Sequence, residues 1–184
     1  QRRIPKNHSI YQFVNKTIPK LFYDALGEDI NSCSVKASVG ITNWRKDAPW
    51  IAFLHPAITN SAEHGYYPVY LFSRDFKTVL LELGQGETFV KKKYKKEAKF
   101  ILQSRAAIIR NKATSYEKYF KILNNVKADR QDWLVNGAFG KLYKLDKLPN
   151  DEILIRDLKK MISLYLKTIS LGGISEDFPI EDLD

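Results

Sequence analysis

Between residues 44 and 86 the apolar positions fall into three short runs separated by turn formers: P-W-I-A-F-L, G-Y-Y-P-V-Y-L-F and T-V-L-L-E-L-G-Q-G. Short runs rich in aromatic, β-branched and aliphatic residues predict strands beginning at Trp50, Tyr66 and Thr78. An alternating stretch before them, S-V-K-A-S-V-G-I over 34–41, predicts a first strand, with Gly40 at a bulge or turn. Loops are expected over 42–49 and 57–64, and a turn near Asp75-Phe76. Gly84 and Gly86 close the set. Four strands in series on short loops predict a small antiparallel sheet.

Helical periodicity flanks the sheet. Ile10, Phe13, Val14, Ile18, Leu21, Phe22 and Leu26 recur at helical spacing behind a capping box of Ser9 and Gln12, and Gly27 ends the run. Pro19 must kink or split that helix, because it removes a backbone donor. Residues 88–112 read as a helix with Val90, Tyr94, Ala98, Ile101, Ile108 and Ile109 on one stripe. A short helix is expected over 115–126. A last one starts at Pro149-Asn150-Asp151-Glu152 and carries the stripe Leu154, Leu158, Met161, Ile162, Tyr165 and Ile169, ending at Gly172-Gly173. The fold class is therefore α+β: an antiparallel sheet of about four strands flanked by helices, in one domain spanning 1–174. Residues 175–184 read as an acidic linker.

Composition alters this picture in one respect. The 184 residues are 44% apolar and 28% charged, an ordinary globular balance, and carry a formal charge of +9. That charge is uneven. Nine Lys/Arg stand against two Glu between Glu87 and Lys112, whereas acidic residues outnumber basic ones from Asp146 onward. A basic body with an acidic tail points to a polyanionic partner. Apolar runs are too short for a membrane span, and no apolar stretch follows the basic start as a secretory leader would require. Cys33, the only cysteine, excludes an internal disulfide and fits a cytoplasmic location. The start at Gln1 reads as the edge of a piece of a longer protein.

Catalytic chemistry is not visible. There is no phosphate-binding loop, no C-x-x-C or H-E-x-x-H, and no carboxylate pattern of a nuclease, so no enzyme, cofactor or metal is expected. His55 and His64 flank one loop, where packing is the simpler role. What remains is an excess of aromatic residues: Trp44, Trp50, Phe53, Tyr66, Tyr67, Tyr70 and Phe72. A sheet with one buried face needs about half of them inside, leaving others for a surface or pocket. Period 2 places Tyr67, Val69 and Leu71 on one face and Tyr66, Tyr70 and Phe72 on the other. Aromatic rings stack on exposed or everted bases while Lys and Arg hold phosphates. The lysines at 91, 92, 93, 95, 96 and 99 are either a solvated helix face or a phosphate-contacting one.

P-W-I-A-F-L, the G-Y-Y-P-V-Y-L-F segment followed by Arg74-Asp75, and the closing L-G-Q-G together resemble the N-terminal DNA-recognition domain of McrB-type modification-dependent (type IV) restriction systems. Gly137-Ala138, Tyr143, Leu145-Asp146, Leu148-Pro149 and Asp157-Leu158 extend the resemblance to the longer MrcB-type form. The resemblance implies binding of double-stranded DNA with a modified base, methylated cytosine, flipped into an aromatic pocket. Carried over by position, the pocket residues are Trp50, Tyr67 and Leu71, with Tyr94 as a further wall. The loop Ile41, Thr42, Asn43 and Trp44 would enter the vacated stack, with Ile41 at the wedge position or Trp44 in its place. Arg45, Lys46, Lys91, Lys92, Lys93, Lys95 and Lys96 would neutralise phosphates. Cleavage would belong to an effector NTPase or nuclease domain or subunit. Trp50, Tyr67 and Leu71 also read as plain core positions. Two other functions stay open from the residues alone: a modification-indifferent single-strand or RNA binder, and a protein-interaction domain.

Overall fold

The computed structural model describes residues 5–39, 49–73, 75–122 and 136–174. Within them six strands form one antiparallel sheet: β1 (Ser34–Ser38), β2 (Trp50–Leu54), β3 (Tyr66–Phe72), β4 (Thr78–Gln85), β5 (Lys121–Ile122) and β6 (Phe139–Lys144). Their spatial order is β1-β2-β3-β4-β6-β5. Among the described residues five α-helices accompany them: α1 (Ser9–Gln12), α2 (Ile18–Leu26), α3 (Glu87–Tyr94), α4 (Ala98–Lys112) and α5 (Asp151–Ser170). The α+β architecture is the one the apolar pattern predicts, and β1 to β4 are its four strands. β5 and β6 are additional. A six-residue F-G-K-L-Y-K segment with two lysines has little strand signal of its own. Pairing with β4, Val79 opposite Tyr143 and Leu81 opposite Lys141, is what makes it one.

Local sequence explains most of the helix boundaries. Pro19 lacks the N–H that an unbroken helix would direct to residue 15, and the chain answers with a π-helical turn, Phe13–Thr17, in which Ile18 N–H reaches Phe13 O. The expected capping box is not used. His8 is the N-cap instead, its Nδ1 accepting from Ile10 N at 3.2 Å, while Gln12 Nε2 donates to Lys6 O. The single helix expected over 88–112 breaks at Lys95, whose φ is +48°, into α3 and α4. Lys91 and Lys92 stand four residues before Lys95 and Lys96, and like charges at that spacing disfavour one continuous helix. The helix expected over 115–126 is replaced by a 3-10 turn, Thr114–Tyr116, and β5; residues 123–126 lie outside the described residues, as does the expected linker over 175–184. α5 begins as expected, with Asn150 Oδ1 accepting from Ile153 N at 3.1 Å and Asp151 and Glu152 in its first turn.

The main core lies on one side of the sheet. Phe22 of α2 meets Phe53 edge-on at 5.2 Å and stacks on Tyr70 at 6.0 Å. Tyr165 of α5 meets Tyr66 edge-on at 5.6 Å. Between β6 and α5 the buried Asp157 accepts from Lys141 Nζ at 2.6 Å and from Tyr143 Oη at 3.0 Å. Each of these sheet residues, Phe53, Tyr66, Tyr70, Lys141 and Tyr143, points to the same side. α4 adds Ala106 and Ile109 to that core, and Gln85 Nε2 ties β4 to Leu102 O at 2.8 Å.

Candidate nucleic-acid interface

With α2 and α5 packed against Tyr66 and Tyr70, the other face of the sheet carries Tyr67, Val69 and Leu71 of β3. Register places Trp50 opposite Leu71, and Leu71 opposite Leu80. Ala52, Val69, Glu82 and Gly140 follow as the next row across four strands. Trp50 and Leu71 are half-buried, although they start the same face on which Ala52, Val69 and Leu80 are covered. This exposed end of the face therefore presents an indole beside an aliphatic side chain.

Tyr67 stands four residues from Leu71 along β3, roughly 13 Å at the rise of a strand. It is buried, and its Oη donates to Ala62 O at 2.6 Å. Burial first, then the neighbouring carboxyl groups of Glu82 and Glu87, push its hydroxyl well above the ordinary tyrosine range. Its ring is thus held by the 57–64 loop. That loop is itself locked to the end of β4: Gly86 N donates to Gly65 O at 2.9 Å, and a Cβ on Gly86 would lie 2.3 Å from His64 N. Only glycine allows this approach.

The other expected site residues are placed less compactly. Tyr94 lies in a separate cluster with Val90, Ala98, Ile101 and Leu102, under the Lys93 ammonium at 5.2 Å from the ring centre. The lysines at 91, 92, 93, 95, 96 and 99 are all exposed, on α3, the turn after it and the start of α4. Lys91 pairs with Glu87, and Lys93 also covers Phe89. Because α3 follows Gln85, which pairs with Tyr66, the lysines adjoin the Tyr67 end of the sheet rather than the Trp50–Leu71 end. Gly40, Ile41, Thr42, Asn43, Trp44, Arg45 and Lys46 lie outside the described residues.

His55 and His64 have different ring partners. The His55 ring meets Tyr165 edge-on at 6.3 Å and accepts from Ala57 N, whereas His64 meets Phe89 and Thr59. Among the described residues no group of His, Cys, Asp or Glu could hold a metal ion, and no helix is long and apolar enough to cross a membrane.

Glu82 was not singled out by the sequence. It is 4% exposed in the middle of β4, on the face of Tyr67 and Leu71, and its Oε2 is enclosed without a hydrogen-bond partner. Burial, and then the charge of Glu87, raise its carboxyl well above the ordinary value. In the pattern T-V-L-L-E-L-G-Q, an acidic residue between apolar neighbours on a central strand is the signal that could have found it.

No curated protein matches the chain. Residues 1–170, most of its length and all but the last few described residues, match the family described as MrcB-like, N-terminal domain. The match runs through every element of the sheet and α5, so the resemblance carried by the strand motifs holds for the domain as a whole, and the chain belongs to the MrcB-like N-terminal domain family.

Proposed function

We propose that this domain is the DNA-binding specificity module of a modification-dependent restriction system. In this reading it recognises a modified cytosine in duplex DNA, flipped out of the stack and received on the sheet face of Trp50, Tyr67 and Leu71. The half-buried Trp50–Leu71 pair carries the reading: an indole and an aliphatic group lie side by side on the face turned away from α2 and α5. A flat apolar surface of this kind stacks a base and senses a methyl substituent. The exposed lysines of α3 and α4 supply the sequence-independent phosphate attraction. The loop 41–46 would approach the vacated stack, with Arg45 and Lys46 on phosphates. Cleavage falls to an NTPase or nuclease domain or subunit, and the site of action is the cytoplasm, where DNA is accessible.

A competition binding assay at fixed salt tests this. Matched duplexes carrying cytosine, methylcytosine, hydroxymethylcytosine or methyladenine compete with one another, with single-stranded DNA and RNA as controls. The expected result is preference for one modified-cytosine duplex, lost in Tyr67→Ala while weak salt-sensitive binding persists. Equal binding of all duplexes by the parent protein overturns modified-base recognition. Tighter binding of single strands favours the stacking-platform reading, and no binding leaves an interaction domain.

A further inference from the structure

A carboxyl group in the middle of a central strand is costly to bury without partners. Glu82 is such a group, and its surroundings are specific. On β3 it faces Val69 directly and has Tyr67 and Leu71 as diagonal neighbours on the same face. Its row continues to Ala52 on one side and Gly140 on the other. The small residues Ala52 and Gly140 flank it in this row, and the carboxyl group is enclosed among buried neighbours. Gly84, two residues on, completes the arrangement. A Cβ there would lie 2.5 Å from Glu82 Oε1 and 3.0 Å from Val69 Cγ1. The glycine thus gives the carboxyl group its space.

The neighbouring carboxylate makes the contrast clear. Glu87 takes hydrogen bonds from Lys91 Nζ and Asn136 Nδ2 and is settled at the edge of the site. Lys36, in the same row as Glu82 but on β1, sends its ammonium to Asn60 O. Glu82 Oε2 has no hydrogen-bond partner. A buried polar atom left open, on the face already read as the base-receiving one, calls for a partner that arrives with the ligand.

We propose that Glu82 reads the hydrogen-bonding edge of the flipped base, Oε2 accepting from the exocyclic amine of a cytosine while the carboxyl proton is donated to ring nitrogen N3. This rests on the base-flipping reading above and adds to it a residue that selects an amino-pyrimidine. The raised carboxyl supports it, because a protonated acid offers both a donor and an acceptor where a carboxylate offers acceptors only. Trp50, Tyr67 and Leu71 then supply stacking and contact with the substituent, and Glu82 supplies the polar recognition that aromatic walls lack.

The test compares the parent domain with Glu82→Met and Glu82→Gln on three duplexes. These carry cytosine, 5-methylcytosine, or 5-methyl-2-pyrimidinone, which keeps the ring and the methyl group but lacks the amine. The parent is expected to prefer methylcytosine and to lose about tenfold or more on the amine-less base. Weaker pairing of that base in the duplex favours its flipping and opposes the expected loss, so a loss is informative. Glu82→Met should remove the distinction between the two methylated bases, and Glu82→Gln, which still offers one donor and one acceptor, should restore it to within about threefold of the parent. If the parent prefers methylcytosine over cytosine yet binds the amine-less duplex as well or better, Glu82 is not the reader and the flipping reading survives. Glu82 is likewise excluded as the reader if Glu82→Met folds and discriminates like the parent. If the parent does not separate methylcytosine from cytosine at all, the base-recognition reading fails first and this assignment with it. Should Glu82→Met not fold, the parent's response to the amine-less duplex decides.

Discussion

The two faces of the sheet are built from similar residues and behave differently. On the helix side, Phe53, Tyr66, Tyr70 and Tyr143 are covered by α2 and α5 and fixed by edge-on ring contacts or by Asp157. On the other side, Trp50 and Leu71 remain half-buried and Glu82 keeps an unpaired oxygen. The helix side is not perfectly satisfied either: Tyr66 Oη is buried without a partner, and burial pushes its hydroxyl up to about 12. A phenol stays neutral when left unpaired, whereas a carboxyl group at such a place must hold on to its proton to avoid burying a charge. Aromatic residues therefore do two jobs in one sheet. Where α2 and α5 cover them they hold the fold. On the other face Tyr67 is buried under the 57–64 loop while Trp50 stays half-buried, the observation on which the proposed receiving surface rests.

Truncations on opposite faces should separate these roles most sharply. Phe53→Ala leaves a cavity beneath α2 and should cost about 3–5 kcal/mol in chemical denaturation. Trp50→Ala, on half-exposed ground, should cost about 1–2 kcal/mol of stability and lower the modified-duplex preference about tenfold or more. Equal destabilisation by the two changes would show that both faces are ordinary core.

Glu82 offers a second comparison, between folded and unfolded chains. Tyr67 of β3 and Glu87 of α3 face it, and its folded-state carboxyl titrates well above the ordinary 4.5. The folded domain keeps a proton that the unfolded chain releases. Its stabilising contribution is full below the ordinary value and is lost as pH rises through the folded one, by up to about 1.4 kcal/mol per pH unit. Urea melts from about pH 4 to about pH 9 should show this decline, and Glu82→Gln should flatten it. Parallel profiles for parent and variant would contradict a neutral buried carboxyl group.

The smallest effect is expected on the lysine surface. Changing Lys92 and Lys96 to Glu should leave thermal stability nearly unchanged. It should weaken binding to modified and unmodified duplexes alike and lower the salt slope by about 0.9 for each phosphate contact removed. A selective loss on the modified duplex would place these lysines at the base site, and unchanged affinity would make them a solvated helix face.

Much of this was legible in the chain before folding. The runs at Trp50, Tyr66 and Thr78 and the stripe Leu158, Met161, Ile162 and Tyr165 announced their elements, because period and burial coincide there. β6 was not legible, since Phe139–Lys144 becomes a strand by pairing with β4. Nor was the break at Lys95, where crowded like charges oppose an apolar stripe that continues through it. For the site, the alternation of Tyr66 to Phe72 divided the residues into two sets, and the family resemblance selected Trp50, Tyr67 and Leu71. Glu82 escaped although its apolar neighbours in T-V-L-L-E-L-G-Q mark it, because period 2 alone does not tell a solvent-facing carboxyl group from an enclosed one.

The sequence by itself determined the α+β class, the four consecutive strands β1 to β4, the partition of their aromatic residues and the basic surface over 91–99. These follow from local periodicity and composition, which act over a few residues. Only the tertiary structure decided which set of aromatic residues lies under α2 and α5, that Trp50 meets Leu71 across two strands, and that Glu82 is enclosed beside Gly84. Those facts depend on register and layer packing between segments far apart in the chain, where burial, and with it the chemistry of a carboxyl group, is set by neighbours that no local pattern names.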